Sequence, residues 1–290
     1  MGLMWSYIIF VLAAVTLSSI LALLLALDEK AGMAPDSTYY LELARGARVP
    51  RPFCFRPIVP KLLGVDLSRW KINTLAAVVA QGVAIALLTG DLRSILLLLA
   101  LPGGARFSLR HPVLVDAQAM VATLAVAIAA GQLHWAALIV AGGVLACFRE
   151  SAPIWLAVYT GSLWPLVALP GTLAALYIIN GRPVDPTLDN AFIREPLVSC
   201  LKHRHGRMFD WKLYVLPWGV LLPLALMADW RTAAAVWVLS CLPLIIVTDT
   251  ARVQYWAAPA LIPLALHAPI PEFLWPVLLG AHLFNPYRGA

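Results

Sequence analysis

The amino-acid sequence predicts an all-α, polytopic integral membrane protein with roughly nine to eleven transmembrane segments. Three observations support this fold class: 61% of the 290 residues are hydrophobic, only 12% are charged, and apolar runs alternate with polar turns. A soluble domain is nearer half apolar and a quarter charged. Apolar runs separated by turns indicate helices, because a backbone in lipid must satisfy its own hydrogen bonds. We expect one membrane domain over residues 1–290, located in the cell (inner) membrane.

The apolar segments follow one another along the whole chain. The first is long enough to span a bilayer at about 20 residues, and no basic stretch precedes it, which favours an uncleaved helix over a signal peptide. Leu92–Leu101 is expected to be a partial or tilted span, and Pro170–Gly171 is expected to break a hairpin. In chain order the segments are Trp5–Leu27, Ile72–Thr89, Leu92–Leu101, Pro112–Ala130, Trp135–Phe148, Ala152–Leu169, Thr172–Ile179, Leu213–Ala228, Ala233–Val247, Tyr255–His267 and Phe273–Phe284.

Two long polar loops fall on one face of the membrane when these segments alternate in direction. The first loop covers Asp28–Lys71 and the second covers Asn180–Lys212. Of the 21 Lys and Arg residues, only Arg93 and Arg231 fall on the opposite face. The polar chemistry therefore converges on one side, and cations concentrated there suit anionic lipid or phosphate. The sequence has no Lys/Arg-rich tail of the kind that would indicate a nucleic-acid partner.

The first loop opens with a predicted short interfacial helix after Asp36. Asp is a preferred N-cap residue, and Gly46 is a typical helix terminator. Helical spacing would turn Tyr39, Tyr40 and Leu43 toward the membrane. The alternative interpretation makes Asp36 a general base at the membrane surface, and the two roles are compatible.

The first loop continues with the stretch RPFCFRPIVP, which contains Arg51 and Arg56. Proline fixes the backbone, so we expect an extended path that holds both arginines with little freedom left to lose. A guanidinium is a planar fork that suits phosphate oxygens. The alternative is an interfacial segment whose cations touch lipid headgroups.

Three further places carry charges at the ends of apolar segments. Asp116 lies a few residues inside a segment, where an ionisable group costs several kcal/mol unless it is paired or wet, so it is a functional candidate. Its alternative role is capping or pairing helices. Arg149 and Glu150 either belong to the site or form a local ion pair, and Asp249 and Arg252 either belong to it or form an i, i+3 pair on one helical face.

Cysteines and histidines give weak signals for metal or disulfide chemistry. None of the four cysteines forms a CxxC pair, which makes a structural zinc site unsupported. Cys54 and Cys200 lie in the two long loops and pair only if those loops face an oxidising compartment. His203 and His205 lack a nearby pair of acids. We predict no cofactor, and no motif supports a divalent metal.

Together these residues resemble the C-type glycosyltransferase superfamily (GT-C), which comprises polytopic transferases that use polyprenyl-phosphate sugars. The resemblance covers most of the chain as short motifs in a consistent order. The matching residues are Asp36, Tyr39, Tyr40, Ala44 and Gly46, then Pro52, Phe53, Arg56, Pro57 and Pro60, then Asp116, Arg149-Glu150, Asp249, Arg252 and Pro259.

The resemblance implies an inverting sugar transfer from a polyprenyl-phosphate donor to an acceptor hydroxyl. In such enzymes the first-loop Asp is the catalytic base, which is Asp36 here, and a second acid, here Asp116, supports the site. The implied substrate-binding residues are Tyr39, Tyr40, Arg51, Arg56, Arg149, Glu150, Asp249 and Arg252. The implied partners are the lipid-linked sugar, membrane lipids and an unassigned acceptor.

Two features depart from the family pattern. Its members are usually longer, and the first loop here has no Asp-x-Asp motif. The family places its active face outside the cytoplasm, whereas the positive-inside rule places the basic face within it. A non-catalytic membrane protein, or a transporter or flippase for a phosphorylated lipid, is therefore a second hypothesis.

Topology tests the convergence of the two long loops. Reporter fusions within Asp28–Lys71 and Asn180–Lys212 should report the same side, and fusions at Gly131 and Asp229 should report the other. Long loops on opposite sides would contradict a shared site. Both loops in the cytoplasm would keep one face but oppose the family resemblance.

Overall fold

The computed structural model describes residues 2–28, 31–34, 36–189, 191–195, 198–199, 212–245 and 250–285. All regular secondary structure in these ranges is helical, apart from one isolated bridge between Val49 and Gly181, so the all-α prediction is confirmed. The α-helices are α1 (Gly2–Asp28), α2 (Ser37–Ala44), α3 (Ile58–Leu63), α4 (Leu67–Thr89), α5 (Arg93–Leu99), α6 (Phe107–Arg110), α7 (Asp116–Ala129), α8 (Trp135–Phe148), α9 (Ala152–Thr160), α10 (Leu169–Asn180), α11 (Ala191–Arg194), α12 (Lys212–Val215), α13 (Leu221–Ala228), α14 (Trp230–Cys241), α15 (Thr250–Tyr255), α16 (Ala258–Leu266) and α17 (Trp275–Leu283). Short 3₁₀ turns cover Phe53–Phe55, Ala130–Gln132, Trp164–Leu166, Leu216–Trp218, Leu242–Ile245 and Glu272–Leu274, and a π-helical turn covers Pro102–Arg106.

Two helices in the described part of the chain are long and apolar enough to cross a membrane. They are Met4–Asp28 within α1 and Leu67–Thr89, which is α4. The other predicted spans form shorter helices. For example, α7 has 14 residues, which is about 21 Å at 1.5 Å per residue and less than a hydrocarbon core of about 30 Å.

The predicted hairpin break at Pro170–Gly171 is wrong. Pro170 lies in the first turn of α10, where proline is favoured because its missing N–H would have no helical partner. The chain instead breaks at Gly161, which caps α9 in the left-handed conformation with φ of +63°. Glycine adopts this conformation without a steric penalty.

The chain divides into two compact units, each assembled from separate stretches of sequence. The first unit contains Met1–Asp28, Val78–Phe107 and Glu195–Ala290, and the second contains Glu29–Ala77 and Ser108–Arg194. This division does not test the single membrane domain predicted from the sequence, which stays a prediction.

The first unit is organised around the short buried helix α5. Leu97, Leu98 and Leu99 are fully buried, and α5 packs against α1, α16 and α17. His282 of α17 is also buried, and its Nε2 lies 3.0 Å from the carbonyl oxygen of Leu97. Within the described residues, α5 therefore contacts α1 from the start of the sequence and α17 from near its end.

The second unit holds most of the predicted site residues. Helices α7 and α8 form a hairpin against which α9 packs, and the 3₁₀ turn Trp164–Leu166 lies on α8. That turn comes so close to Gly142 that a Cβ there would collide with the backbone of Pro165. Glycine is therefore required at the contact between α8 and this turn.

The described parts of the two long polar loops meet within the second unit. The backbone N–H of Val49 donates to the carbonyl of Asn180 at 2.9 Å, and the N–H of Arg182 donates to the carbonyl of Val49 at 3.1 Å. The Lys61 Nζ donates to Oδ1 of Asn180 at 3.1 Å. The start of the second loop is therefore fixed to the first loop, as the predicted convergence requires.

Candidate active site

Two consecutive residues at the end of α8 organise the candidate site. Arg149 has extended backbone angles (φ −161°, ψ 132°), which end the helix. In an extended backbone, successive side chains point in opposite directions. Arg149 therefore reaches Asp116 while Glu150 reaches Arg56. The local pair between Arg149 and Glu150, one of the two predicted alternatives, is not their principal contact, because each bonds a partner from a different element; the Arg149 charge does help to lower the pKa of Glu150.

The first ion pair joins the antiparallel helices α7 and α8. Asp116 is the first residue of α7 and pairs with Arg149, and their side chains are only 5% and 8% exposed. The Arg149 Nε also donates to Oγ of Ser151 at 3.1 Å. An acid at a helix N-terminus and a cation at a helix C-terminus are each favoured by the helix dipole. Asp116 therefore joins two helices, which is its predicted alternative role.

The second ion pair ties the first loop to the end of α8. Arg56 donates from Nε to Oε2 of Glu150 at 2.7 Å and from Nη2 to Oε1 at 2.5 Å, a two-pronged contact. Its Nη1 donates to the hydroxyl of Tyr40 at 2.5 Å. The Arg56 side chain is 6% exposed and that of Glu150 is 27% exposed. All three groups of the guanidinium are therefore engaged by protein atoms.

The two pairs form what we call the charge node: Asp116, Arg149, Glu150 and Arg56, with Tyr40 attached. Burial alone would raise the pKa of Glu150, but the charge and hydrogen bonds of Arg56 lower that pKa to about 2. Burial alone would lower the pKa of Arg56, but Glu150 and Tyr40 raise it further above its usual value. Glu150 and Arg56 therefore stay charged at neutral pH, and the formal charges of the four residues sum to zero.

The stretch that contains Arg56 is not extended, contrary to prediction. Phe53–Phe55 forms a 3₁₀ turn, and α3 follows directly after Pro57. Proline has a φ near −65° that suits the start of a helix, and Pro60 falls in the first turn of α3, where its missing N–H costs nothing. The resulting turns carry the Arg56 guanidinium inward.

Tyr39 and Tyr40 are buried within the unit and do not face a membrane. Their rings pack on Phe53, with centroids 4.5 Å apart in a stack for Tyr39 and 5.5 Å apart edge-on for Tyr40. Leu43, on the same face of α2, is also buried. Helical spacing identified the buried face of α2, but the surface that covers it is the Phe53 turn.

A second cluster, which sequence reasoning missed, connects α2 to the second loop. The Tyr39 hydroxyl donates to Oδ1 of Asp189 at 3.2 Å, and Arg182 donates to both Asp189 carboxylate oxygens at 2.8 Å. The hydrogen bonds from Arg182 lower the pKa of Asp189, and burial together with Asp189 raises the pKa of Tyr39 to about 12. Nothing local in the sequence signalled this pairing, because 150 positions separate the two residues.

Asp36 stands at the N-cap position of α2, but its side chain makes no capping hydrogen bond within that helix. The backbone carbonyl of Ala34 instead accepts from the N–H of Ser37 at 2.9 Å. Gly46 follows α2 with φ of +83°, as a helix terminator should. The structure therefore places Asp36 at the predicted helix start, without the predicted capping hydrogen bond from its side chain.

Arg51 and Arg252 each lie beside an aromatic ring. Arg51 is exposed, with its guanidinium carbon 5.3 Å from the centroid of the Tyr177 ring. Arg252 belongs to the first unit, where its guanidinium carbon lies 5.3 Å from the Phe107 ring centroid. Asp249 lies outside the described residues, as do Cys200, His203 and His205.

An apolar groove of about 570 Å³ runs between α7 and α8. Three small alanines leave the groove open, and at one end it reaches Phe148, the residue before Arg149. The lining residues are Ala122, Val126, Leu133, Ala137, Val140, Ala141, Val144, Leu145 and Phe148. An apolar chain lying in this groove would end beside the charge node.

Protein-family models, curated proteins and solved structures show no match to this chain. The resemblance to C-type glycosyltransferases therefore depends on the sequence motifs alone. Among the described residues, no three His, Cys, Asp or Glu side chains come together as a metal-binding group.

The charge node makes a testable prediction about stability and pH. Because the pKa of Glu150 falls from about 4.5 to about 2 on folding, the unfolded state binds more protons between these values. The free energy of unfolding should therefore fall as the pH is lowered through this window. Glu150→Gln should lose ~3 kcal/mol at neutral pH, because it leaves Arg56 buried without its counter-ion, and should lose most of the pH dependence.

Thermal unfolding in detergent at several pH values measures both effects. Asp66→Asn is the matched control, since Asp66 is about half exposed and forms only a loose pair with Arg69 at 3.5 Å. This control should change the unfolding free energy by less than about 1 kcal/mol. Equal losses in the two variants would contradict a stabilising role for the node.

Proposed function

We propose that this protein is a multi-pass membrane glycosyltransferase of the C type. It would transfer a sugar from a polyprenyl-phosphate donor to an acceptor hydroxyl, with inversion at the anomeric carbon. The Asp36 carboxylate takes the hydroxyl proton while the oxygen attacks the anomeric carbon, and the bond from that carbon to the phosphate oxygen breaks. The products are the glycosylated acceptor and the polyprenyl phosphate.

The observation that carries this proposal is the charge node. It joins the helix hairpin α7–α8 to the first loop through two buried ion pairs and, through Tyr40, to α2. Asp36 immediately precedes α2. A base must be held within hydrogen-bond reach of its proton, so a fixed α2 supports a catalytic role for Asp36.

The ion pairs change which arginine we assign to the donor phosphate. Arg56 and Arg149 are committed to carboxylates, whereas Arg51 is exposed on the same loop. Binding phosphate through Arg56 would leave Glu150 charged and without its partner, which is costly for a mostly buried group. We therefore assign phosphate binding to Arg51, with Arg56 as the residue that positions the loop.

The groove between α7 and α8 supports a lipid-linked donor. It is lined only by apolar side chains and ends at Phe148, next to the charge node. An isoprenoid chain in the groove would keep its phosphate at the polar end. The membrane spans in this proposal are Met4–Asp28 and α4, joined by tilted or partial crossings of the shorter apolar helices.

One observation favours a second candidate function. The node is electrically neutral, so it could serve a flippase or a non-catalytic binding protein for the same phosphorylated lipid. Such a protein would bind polyprenyl phosphate through Arg51 but would have no need of a base at Asp36. A transfer assay on the wild-type protein therefore separates the two functions, and the Asp36 variants then test the base.

Asp36→Asn and Asp36→Ser should give stable protein with at least about a hundredfold less transfer activity. Neither residue can act as a carboxylate base, and both are themselves good N-cap residues, so the start of α2 should tolerate them. The measurement is transfer from labelled polyprenyl-phosphate sugars in native membranes. Asp66→Asn, which changes a capping acid at the start of α4, is the control and should retain activity. Near-normal transfer by Asp36→Asn would show that Asp36 is not the base, whereas no transfer by the wild-type protein would favour the non-catalytic alternative.

Arg51 and Arg56 should respond differently to substitution. Arg51→Ala should weaken polyprenyl-phosphate binding by about tenfold, as expected for one charged hydrogen bond of 1.5–3 kcal/mol, and should leave stability unchanged. Arg56→Lys should chiefly lower thermal stability, because a single ammonium cannot reproduce the fork that contacts Glu150. If Arg56→Lys weakens polyprenyl-phosphate binding without lowering stability, the phosphate-binding role would be assigned to Arg56 instead.

A further inference from the structure

The turn between α3 and α4 displays an unusual mixture of exposed side chains. Leu62 is 74% exposed, Val65 48%, Leu67 44% and Ile72 71%. Three exposed basic residues lie in the same segment: Lys61, Arg69 and Lys71. We call the segment from Lys61 to Ile72 the basic–apolar turn. It contributes nothing to the charge node.

Buried and hydrogen-bonded residues fix the fold of this turn and hold these side chains outward. Trp70 is fully buried, and its Nε1 donates to the carbonyl of Gly64 at 2.8 Å. Gly64 has φ of +67°, which reverses the chain after α3. Asp66 Oδ1 accepts from the N–H of Ser68 at 2.8 Å and caps α4. The exposure therefore follows from the fold of the turn.

Exposed apolar side chains of this size indicate a surface that is covered in use. Burying a Leu, Ile or Val side chain is worth about 1.5–3 kcal/mol relative to leaving it in water. Contiguous exposed apolar residues mark interaction surfaces, whereas scattered single ones are ordinary. Four such residues fall within eleven positions, from 62 to 72, and are therefore grouped along the chain and not scattered singly.

The position of the turn selects a membrane as the covering partner. It leads into α4, whose 23 residues measure about 35 Å, a few ångströms longer than a hydrocarbon core of about 30 Å. The first turn of α4 then lies at the level of the headgroups. Apolar side chains there enter the acyl boundary, while Lys and Arg reach outward to headgroup phosphates.

We propose that the basic–apolar turn docks into the headgroup layer of a leaflet that contains anionic phospholipid. Leu62, Val65 and Ile72 insert at the acyl boundary, and Arg69 and Lys71 bind lipid phosphates. The inference uses the span proposed for α4 but does not depend on sugar transfer. It also fixes the first loop at a defined depth beside the bilayer.

The test compares lipid binding by matched charge variants. Detergent-solubilised full-length protein is titrated with short-chain phosphatidylglycerol and with short-chain phosphatidylcholine, and bound lipid is followed by native mass spectrometry. Arg69→Gln/Lys71→Gln removes two cations of the turn. Arg45→Gln/Arg48→Gln is the control, because it removes two exposed cations of the same loop outside the turn.

The turn variant should bind phosphatidylglycerol about tenfold or more weakly, at about fivefold per basic residue, and should bind phosphatidylcholine as wild type does. The control variant should bind both lipids within about twofold of wild type. Leu62→Ser/Ile72→Ser should weaken binding of both lipids, since the apolar contact does not depend on headgroup charge. Circular dichroism checks that each variant remains folded.

Two outcomes would overturn the proposal. If the turn variant and the control variant lose phosphatidylglycerol binding equally, the attraction is general positive charge and not this surface. If neither turn variant changes binding of either lipid, the surface is covered by a protein and not by a bilayer. Sugar transfer enters neither measurement, so failure here leaves the proposed function to its own test.

Discussion

The second unit depends on two buried ion pairs that leave α8 in opposite directions. A buried ion pair gives little net stability over an apolar replacement, but losing one partner is costly because the other charge stays buried. Asp116–Arg149 therefore fixes how α7 lies beside α8, and Glu150–Arg56 fixes where the first loop lies on their end. The position of α2 follows, because the Tyr40 hydroxyl on this helix accepts a hydrogen bond from the same Arg56 guanidinium.

The helices that the sequence predicted best are those with long uniform composition. The predicted and observed bounds of α8 agree at Trp135 and Phe148, and α1 and α4 contain the predicted apolar runs. Breaks were harder to place, because proline and glycine each have two uses. Pro170 begins a helix although proline often ends one, and Gly161 ends a helix although the surrounding run is apolar. Composition alone does not distinguish these uses.

The site shows the same division between local and distant information. The sequence identified Asp116, Arg149, Glu150 and Arg56 as unusual, since charges at apolar boundaries need partners. It could not identify the partners, because Arg56 and Glu150 are 94 positions apart. Adjacency left a local pair between Arg149 and Glu150 open, and the extended backbone at Arg149 explains why each side chain reaches a different element. Asp189 had no signal at all, because its role depends on the docking of the second loop.

The chain thus uses arginine in two distinct ways, and this division bears on any anionic substrate. Arg56 and Arg149 are enclosed and neutralised, whereas Arg51 remains exposed at the surface of the same loop. A phosphate that took Arg56 would have to replace a two-pronged contact and would deprive the mostly buried Glu150 of the guanidinium that holds its pKa low. Arg51, exposed beside the Tyr177 ring, can bind phosphate without stranding a buried acid. The low pKa also makes Glu150 a weak proton acceptor while it is paired with Arg56, and this is why the proposed base is Asp36, just before the α2 helix that Tyr40 ties to Arg56.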